Sequence, residues 1–240
     1  MGKLEGKVAL VTGASRGIGC AIARALFDEG AHTYLVSRRR KVVQKLAAAW
    51  NKSGIRAEGL SADITREREV NELIVRVKKR SGRLDILINN AGVLTYKPFR
   101  KTTFEDWQSN IGSNLTGIFL CTRASLPLMK RRRDAHIVNI ISVAGIEAYE
   151  NCSAYCASKF GALGLSRVLA EELRPQGIRV TAILPGPVRT KMIQKLPFAV
   201  EKDQILEPED VARAVIEALT QRSRASLEEV VLRPTRGFPS

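Results

Sequence analysis

Short runs of β-branched and aliphatic residues alternate along this chain with longer stretches whose apolar positions recur at helical spacing. The short runs predict strands at 8–12, 32–37, 56–61, 86–89, 137–141, 180–184 and 229–232. The helical stretches predict helices near 18–29, 39–50, 67–80, 104–130, 153–174 and 208–219. Strand and helix in strict alternation is the order of a parallel sheet with crossover helices, an α/β protein. The stretch "DITREREV" predicts a helix start, with Thr65 as cap and acids in the first turn, and Pro175 with Gly177 predicts a clean stop. The 240 residues show no repeat or linker, which predicts a single domain over 1–240. A chain of this size buries roughly 70–75% of its unfolded surface and needs no staple. The one long irregular piece, 185–207, contains Pro185, Gly186, Pro187 and Pro197 and predicts a substrate flap at about 187–207.

Composition changes this picture little: 45% hydrophobic and 26% charged is ordinary for a globular protein. Cys20, Cys121, Cys152 and Cys156 form no CxxC pair, and only His32 and His136 could join them. The expectation is therefore reduced thiols and no metal. No apolar run approaches the roughly 18 residues of a membrane span. The first strand-like segment begins at Lys7, which leaves a signal peptide no room, and Gly6 stands where myristoylation wants Ser or Thr. A soluble, cytoplasmic protein is expected.

Charge is the unusual quantity: 39 basic minus 24 acidic residues gives +15, much of it in clusters at 38–41, 78–80 and 130–133. Such a balance suits polyanionic partners, or cations placed at helix ends where the dipole favours them. With only 5% aromatic residues there is no stacking platform, and a nucleic-acid partner is not expected.

Candidate chemistry begins at "TGASRGIGCAIARAL". Gly13, Gly17 and Gly19 follow a strand and open a helix, which allows a tight turn and close backbone approach to a pyrophosphate at the helix start. About 20 residues further on, where an acid would hold a free ribose 2′-hydroxyl, the chain reads "VSRRRK". Ser37 is followed by Arg38 and Arg39, and Arg16 lies inside the glycine loop. Guanidinium groups bind a 2′-phosphate where a carboxylate would repel it, so the cofactor expected is NADP(H). A helix-start basic run is the plainer alternative. Further on, "SAYCASKF" places Tyr155 and Lys159 one helical turn apart, on one face. Alone, that pair is more often an aromatic anchor beside a solvated lysine.

The ordered set TGxxxGxG, Asp63, "NNAG" at 89–92, Asn114, Ser142, YxxxK and Pro185-Gly186 resembles the short-chain dehydrogenase/reductases over nearly the whole chain. The resemblance implies a Rossmann-type, doubly wound parallel sheet of seven strands flanked by helices, assembled as a homodimer or homotetramer. It implies a catalytic tetrad of Asn114, Ser142, Tyr155 and Lys159. It also implies cofactor contacts from Gly13, Ser15, Arg16, Gly17, Ile18 and Gly19, and from Ser37, Arg38 and Arg39. Asp63 and Ile64 would meet the adenine, and Asn90, Ala91 and Gly92 the cofactor's inner side. Pro185, Gly186, Val188 and Thr190 would lie around the nicotinamide, and Lys159 would hold its ribose.

On this reading Tyr155 protonates a carbonyl oxygen as hydride arrives. A tyrosine ordinarily titrates near ~10, so serving as a base at pH 7 needs roughly 4 kcal/mol of phenolate stabilisation, expected from the Lys159 ammonium. Ser142, at a strand end, would bind the substrate oxygen, and Asn114 would interrupt its helix and hold a relay water. The tail "EEVVLRPTRGFPS" resembles the branch acting on 3-hydroxy acids, serine-type amino alcohols and small carbonyls, so a small ketone or 3-hydroxy acid is the expected substrate. The alternative is a 3-oxoacyl-[acyl-carrier-protein] reductase, whose acidic carrier protein would meet the basic run "KRRRD" at 130–134. The third reading is a non-catalytic NADP-sensing module, which an intact tetrad argues against.

Overall fold

A strand in the middle of a parallel sheet is covered on both faces, so it needs apolar side chains at every step rather than at alternate ones. β1 (Val8–Thr12), β4 (Ile86–Asn89) and β5 (Ala135–Ile140) are buried throughout, and β2 (His32–Val36) and β6 (Ile178–Pro185) at all positions but one. β3 (Ala57–Leu60) and β7 (Glu229–Leu232) are partly exposed and form the edges. All neighbours pair in parallel in the order β3-β2-β1-β4-β5-β6-β7, the expected seven-stranded Rossmann-type sheet. The structure is a computed structural model describing residues 2–51, 56–129, 134–195, 204–222 and 224–236.

Period two along the strands decides which helix each side chain meets. Ala9 and Val11 pack with Ile22 and Leu26 of α1 (Gly17–Asp28), Val43 of α2 (Arg40–Trp50) and Val215 of α7 (Pro208–Leu219). Val8 and Leu10 pack on the other face with Leu73 of α3 (Glu67–Ser81), Leu120 of α5 (Gly117–Met129) and Leu173 of α6 (Ser153–Leu173). Strand order reverses between β1 and β4, and the crevice there, at the carboxyl ends, is where doubly wound sheets hold ligands.

Three expectations are corrected. The helix expected over 104–130 is two: α4 (Phe104–Ile111) and α5, joined by one wide π-helical turn over Gly112–Thr116. Hydrophobic period cannot show this, because the cause is the Asn114 amide, which bonds both main-chain groups of Val93 and the Ser158 hydroxyl. Thr65 is not the cap of α3, which follows Arg66 with no side-chain cap; its hydroxyl donates instead to Asp63 Oδ1 at 2.8 Å. The basic cluster at 38–41 lies at the start of α2, the end where the dipole disfavours cations, while 78–80 occupies the last turn of α3, which suits them. The run 130–133 lies outside the described residues.

A polar chain inside the sheet fixes the helices that carry the site. Asn89 and Asn139 face each other across β4 and β5, and Asn89 Nδ2 donates to Asn139 Oδ1 at 2.8 Å and to Thr122 Oγ1 at 3.2 Å. Asn139 Nδ2 donates to Ser166 Oγ at 2.8 Å, which ties α6 to the sheet as Thr122 ties α5. A buried donor left unpaired costs about 1–3 kcal/mol, so this chain resists any slip of either helix.

Also in β5, His136 is buried with Nε2 2.8 Å from Thr181 Oγ1. Burial and the Arg179 charge push its imidazole down to about 3 from the ordinary 6.5. Below pH ~6.5 the unfolded chain takes up a proton that the fold refuses, so stability falls from pH ~6.5 towards ~3, by about 1.4 kcal/mol per unit at most. In urea melts across that window, His136→Gln should flatten the pH dependence. An unaltered slope would exclude His136 as its source.

Candidate active site

The site begins where β1 ends. Thr12 Oγ1 donates to the Ile88 carbonyl at 3.3 Å and accepts from the Asn90 and Ala91 amides at 2.9 and 3.1 Å. That locks the turn after β1 beside the turn after β4. Gly13 has φ +68°, and a Cβ there would lie 2.8 Å from the Ala91 Cα. At Gly19 a Cβ would come within 2.3 Å of Asn90 Nδ2. The glycines are therefore needed by the protein's own turn packing as well as by any ligand. Ser15 and Ile18 are half-buried in the same turn, and exposed Arg16 precedes α1 in extended backbone. α1 has neither a side-chain cap nor an acid in its first turn, so no side chain of its own covers its starting N–H groups.

At the end of β2, Ser37 Oγ accepts the Arg39 amide at 3.1 Å, and the Arg38 and Arg39 side chains are exposed. Arg38 Nη1 lies 4.0 Å from the Asp63 carboxylate. Burial pushes the Asp63 carboxyl up, but the Thr65 hydrogen bonds and the Arg38 and Arg66 charges outweigh it and hold it below its usual value. Ile64 is buried against Gly117, where a Cβ would meet its Cδ1 at 2.4 Å.

Gly92 passes the connection to the tetrad, since a Cβ there would sit 2.9 Å from Asn114 Oδ1. That oxygen accepts the Val93 amide at 2.8 Å, and Asn114 Nδ2 donates to Ser158 Oγ at 2.9 Å, which itself donates to the Tyr155 carbonyl at 2.7 Å. Tyr155 is half-buried. Lys159 is 5% exposed, its Nζ donates to the Ile140 carbonyl at 3.2 Å, and it lies 5.6 Å from the Tyr155 ring centre. Ser142 lies two residues beyond that carbonyl, its Oγ accepting the Ala144 amide at 3.1 Å.

The electrostatics differ from expectation. Burial raises the Tyr155 phenol to about 12, with the Cys152 and Cys156 thiols adding to the rise and a hydrogen bond with Ser142 opposing it. Burial also lowers the Lys159 ammonium to about 7. The expected lowering of the phenol by the lysine is thus not what dominates here: desolvation disfavours both charges at once.

Pro185, Gly186, Val188 and Thr190 lie at and just beyond the end of β6. The Gly186 amide donates to the Leu232 carbonyl at 2.8 Å, and Pro185 pairs with Leu232. Val188 is buried and bridges to Leu206, and the Arg189 and Leu206 amides bond the Leu206 and Pro187 carbonyls at 2.8 and 2.9 Å. Both ends of the expected flap are thereby pinned; 196–203 lie outside the described residues. The Thr190 methyl lies 3.1 Å from a Cβ placed on Gly17, which brings this segment over the glycine turn. Pattern reading passes over Thr12, Ser158, Glu147, Tyr149 and Arg233, all of which shape the site. Ser158 had a signal in its place inside YxxxK; Thr12 and Arg233 gain their roles through contacts distant in sequence, and Tyr149 through its neighbour Glu147.

A family model described as short chain dehydrogenase matches residues 7–199. An uncharacterised oxidoreductase of Staphylococcus saprophyticus is 36% identical over 236 residues, covering 98% of this chain and all of the relative. Among solved structures, a metagenomic short-chain oxidoreductase in complex with NADP superposes with a TM-score of 0.85 at 35% identity, covering 97% of this chain and 99% of that one. The alcohol dehydrogenase of the archaeon Thermococcus sibiricus, complexed with 5-hydroxy-NADP, superposes with a TM-score of 0.90 at 29% identity, covering 98% and 99%.

The turn-to-turn lock makes Gly19→Ala a sharp test. The new methyl must displace the Asn90 amide, and overpacking of this kind costs about 1–3 kcal/mol. Urea unfolding should show that loss, and a variant as stable as the parent would mean the two turns are not held against each other.

Proposed function

The chain belongs to the short-chain dehydrogenase family, and from that premise we propose that it is an NADP(H)-dependent oxidoreductase. It acts between a carbonyl compound and the corresponding secondary alcohol, with Tyr155 as general acid and base. The observation that carries the reading is the buried Lys159 one turn from the half-buried Tyr155, with Ser142 acting on the same phenol.

The residues present fit the cofactor. Gly13, Ser15, Arg16, Gly17, Ile18 and Gly19 form a turn and helix start whose free N–H groups suit a pyrophosphate. Arg38 and Arg39 crowd the disfavoured end of α2, where a 2′-phosphate offsets their charge, with Ser37 shaping the turn. Asp63 and Ile64 flank the adenine, and Asn90, Ala91 and Gly92 the inner side. Pro185, Gly186, Val188 and Thr190 hold the nicotinamide end, and Lys159 its ribose. NADPH, when bound, supplies the hydride.

The chain's own groups handle the proton. Tyr155 stays protonated far above neutral pH, so at pH 7 it is in the form that donates to a carbonyl oxygen. Burial disfavours the phenolate and the ammonium together, so passing that proton to Lys159 is uphill and the pair by itself favours reduction. Ser142 hydrogen-bonds the substrate oxygen. Asn114 positions α6 through Ser158 and the main chain at Val93, beside a π turn suited to a relay water.

The substrate is a small ketone or a 3-hydroxy acid and its ketone. The carrier-protein alternative rests on 130–133, outside the described residues, so nothing raises it to first place. Exposed Trp107 on α4 and Phe160 and Val168 on α6 support a homodimer or homotetramer. The expected flap is the 187–207 segment pinned at its ends. A cytoplasmic location is part of this proposal; separately, among the described residues no helix is long and apolar enough to cross a membrane.

Tyr155→Phe should lower the rate of NADPH-dependent carbonyl reduction by roughly 10²–10⁴. A folded variant with parental activity would end the assignment. Replacing Arg38 and Arg39 together by Ala should shift the NADPH-to-NADH ratio of kcat/KM by roughly tenfold to a hundredfold towards NADH. Steady-state kinetics with both cofactors reads it, and an unmoved ratio would separate the arginines from the 2′-phosphate.

A further inference from the structure

Between Ser142 and Tyr155 the chain makes one short turn, Val143–Gly145, and then places Glu147. Arg233, just past β7, reaches across to it: Nη2 donates to Glu147 Oε1 at 2.5 Å and Nη1 to Oε2 at 3.4 Å. The Tyr149 hydroxyl donates to the same Oε2 at 2.6 Å. Three donors thus converge on one carboxylate. Arg233 is fixed from behind, because Leu232 accepts the Gly186 amide and Pro234 Cδ lies 3.3 Å from a Cβ placed on Gly186. Tyr149 packs in one cluster with Leu94, Tyr96, Ala144, Cys152, Cys156 and Tyr155 itself. No side chain of that cluster is cationic. The receptor for a carboxylate therefore adjoins the tyrosine's apolar wall, and the protein's own side chain already fills it.

We propose that Glu147 is a specificity-determining residue: a tethered occupant of the carboxylate position formed by Arg233 and Tyr149, which restricts the enzyme to neutral carbonyl substrates. The proposal rests on the oxidoreductase reading and decides, within it, between uncharged ketones or esters and free oxo acids. The argument is one of competition. Glu147, tethered just past the Val143–Gly145 turn, has an effective concentration that a dissolved acid does not match. The Arg233 and Glu147 side chains are half-exposed, so the advantage of Glu147 lies in its tether and its paired geometry rather than in a buried charge. An oxo acid must either displace Glu147 or leave its own charge unpaired beside an apolar wall and a second carboxylate. A methyl ester of the same skeleton meets neither obstacle. The Arg233 and Tyr149 bonds hold the Glu147 carboxyl below its ordinary value, so it remains charged at neutral pH.

The test compares 3-, 4- and 5-oxo acids with their methyl esters, using the full chain with NADPH at pH 7. The parent should favour each ester by at least about tenfold in kcat/KM, and Glu147→Ala should raise kcat/KM at least about tenfold for the acid whose length fits, chiefly through KM. Adding Arg233→Ala to that variant should abolish the gain. Should Glu147→Ala fail to fold, Glu147→Gln, which removes the charge but keeps the shape, must still narrow the ester-to-acid ratio. A parent that reduces acids as well as esters overturns the proposal. So does a ratio that neither Glu147 variant moves, or a gain that survives loss of Arg233. A folded parent that reduces no member of either panel overturns the oxidoreductase reading instead, and this proposal with it.

Discussion

An ammonium group with 5% exposure and one described hydrogen bond, to the Ile140 carbonyl, is the constraint on which the site depends. Lys159 can stay there only if α6 holds a fixed height and rotation against the end of β5. Two polar chains supply that fixity. Asn139 to Ser166 sets the middle of the helix, and Asn114 to Ser158 sets its first turns, between Tyr155 and Lys159. Because Asn114 also holds Val93, and Gly92 closes on its amide, the same bonds connect the tyrosine to the turn after β4. Thr12 carries the connection on to the glycine turn. Tyr155 and the glycine turn, far apart in sequence, are thereby linked through one chain of hydrogen bonds.

Burial in this unit acts on both members of the pair. It pushes the phenol up and the ammonium down, so the two neutral forms coexist over the range from about 7 to about 12. A tyrosine kept as an acid suits carbonyl reduction. The opposite problem appears at the start of α2, where cations crowd the positive end of a helix and an added phosphate relieves the repulsion. Part of the +15 balance thus sits at helix ends, at the start of α2 and in the last turn of α3.

The tail contributes more than an edge strand. Through Leu232 it props Gly186, and through Arg233 it reaches the turn after Ser142, so the segments that follow β5 and β6 share one anchor. Any change in β7 is therefore expected to be felt at the site, although that strand is partly exposed and carries no member of the tetrad.

Much of this protein is written locally. Continuous apolar runs fix β1 and β4 to the residue, and Pro208 with its acidic neighbours fixes the start of α7, because burial and capping act over a few positions. The glycine turn, the arginines after β2 and the tyrosine–lysine spacing are legible for the same reason: each is a short-range requirement. The split of 104–130 around Asn114, the engagement of Thr65 by Asp63 and the carboxylate receptor of Arg233, Tyr149 and Glu147 are not. Asn114 and Arg233 act through hydrogen bonds to residues that no spacing relates, and at Thr65 the local bond to Asp63 competes with capping, a choice that local pattern leaves open. Sequence determined which groups are available and in what secondary structure; only packing decided which of them meet, and in which protonation state.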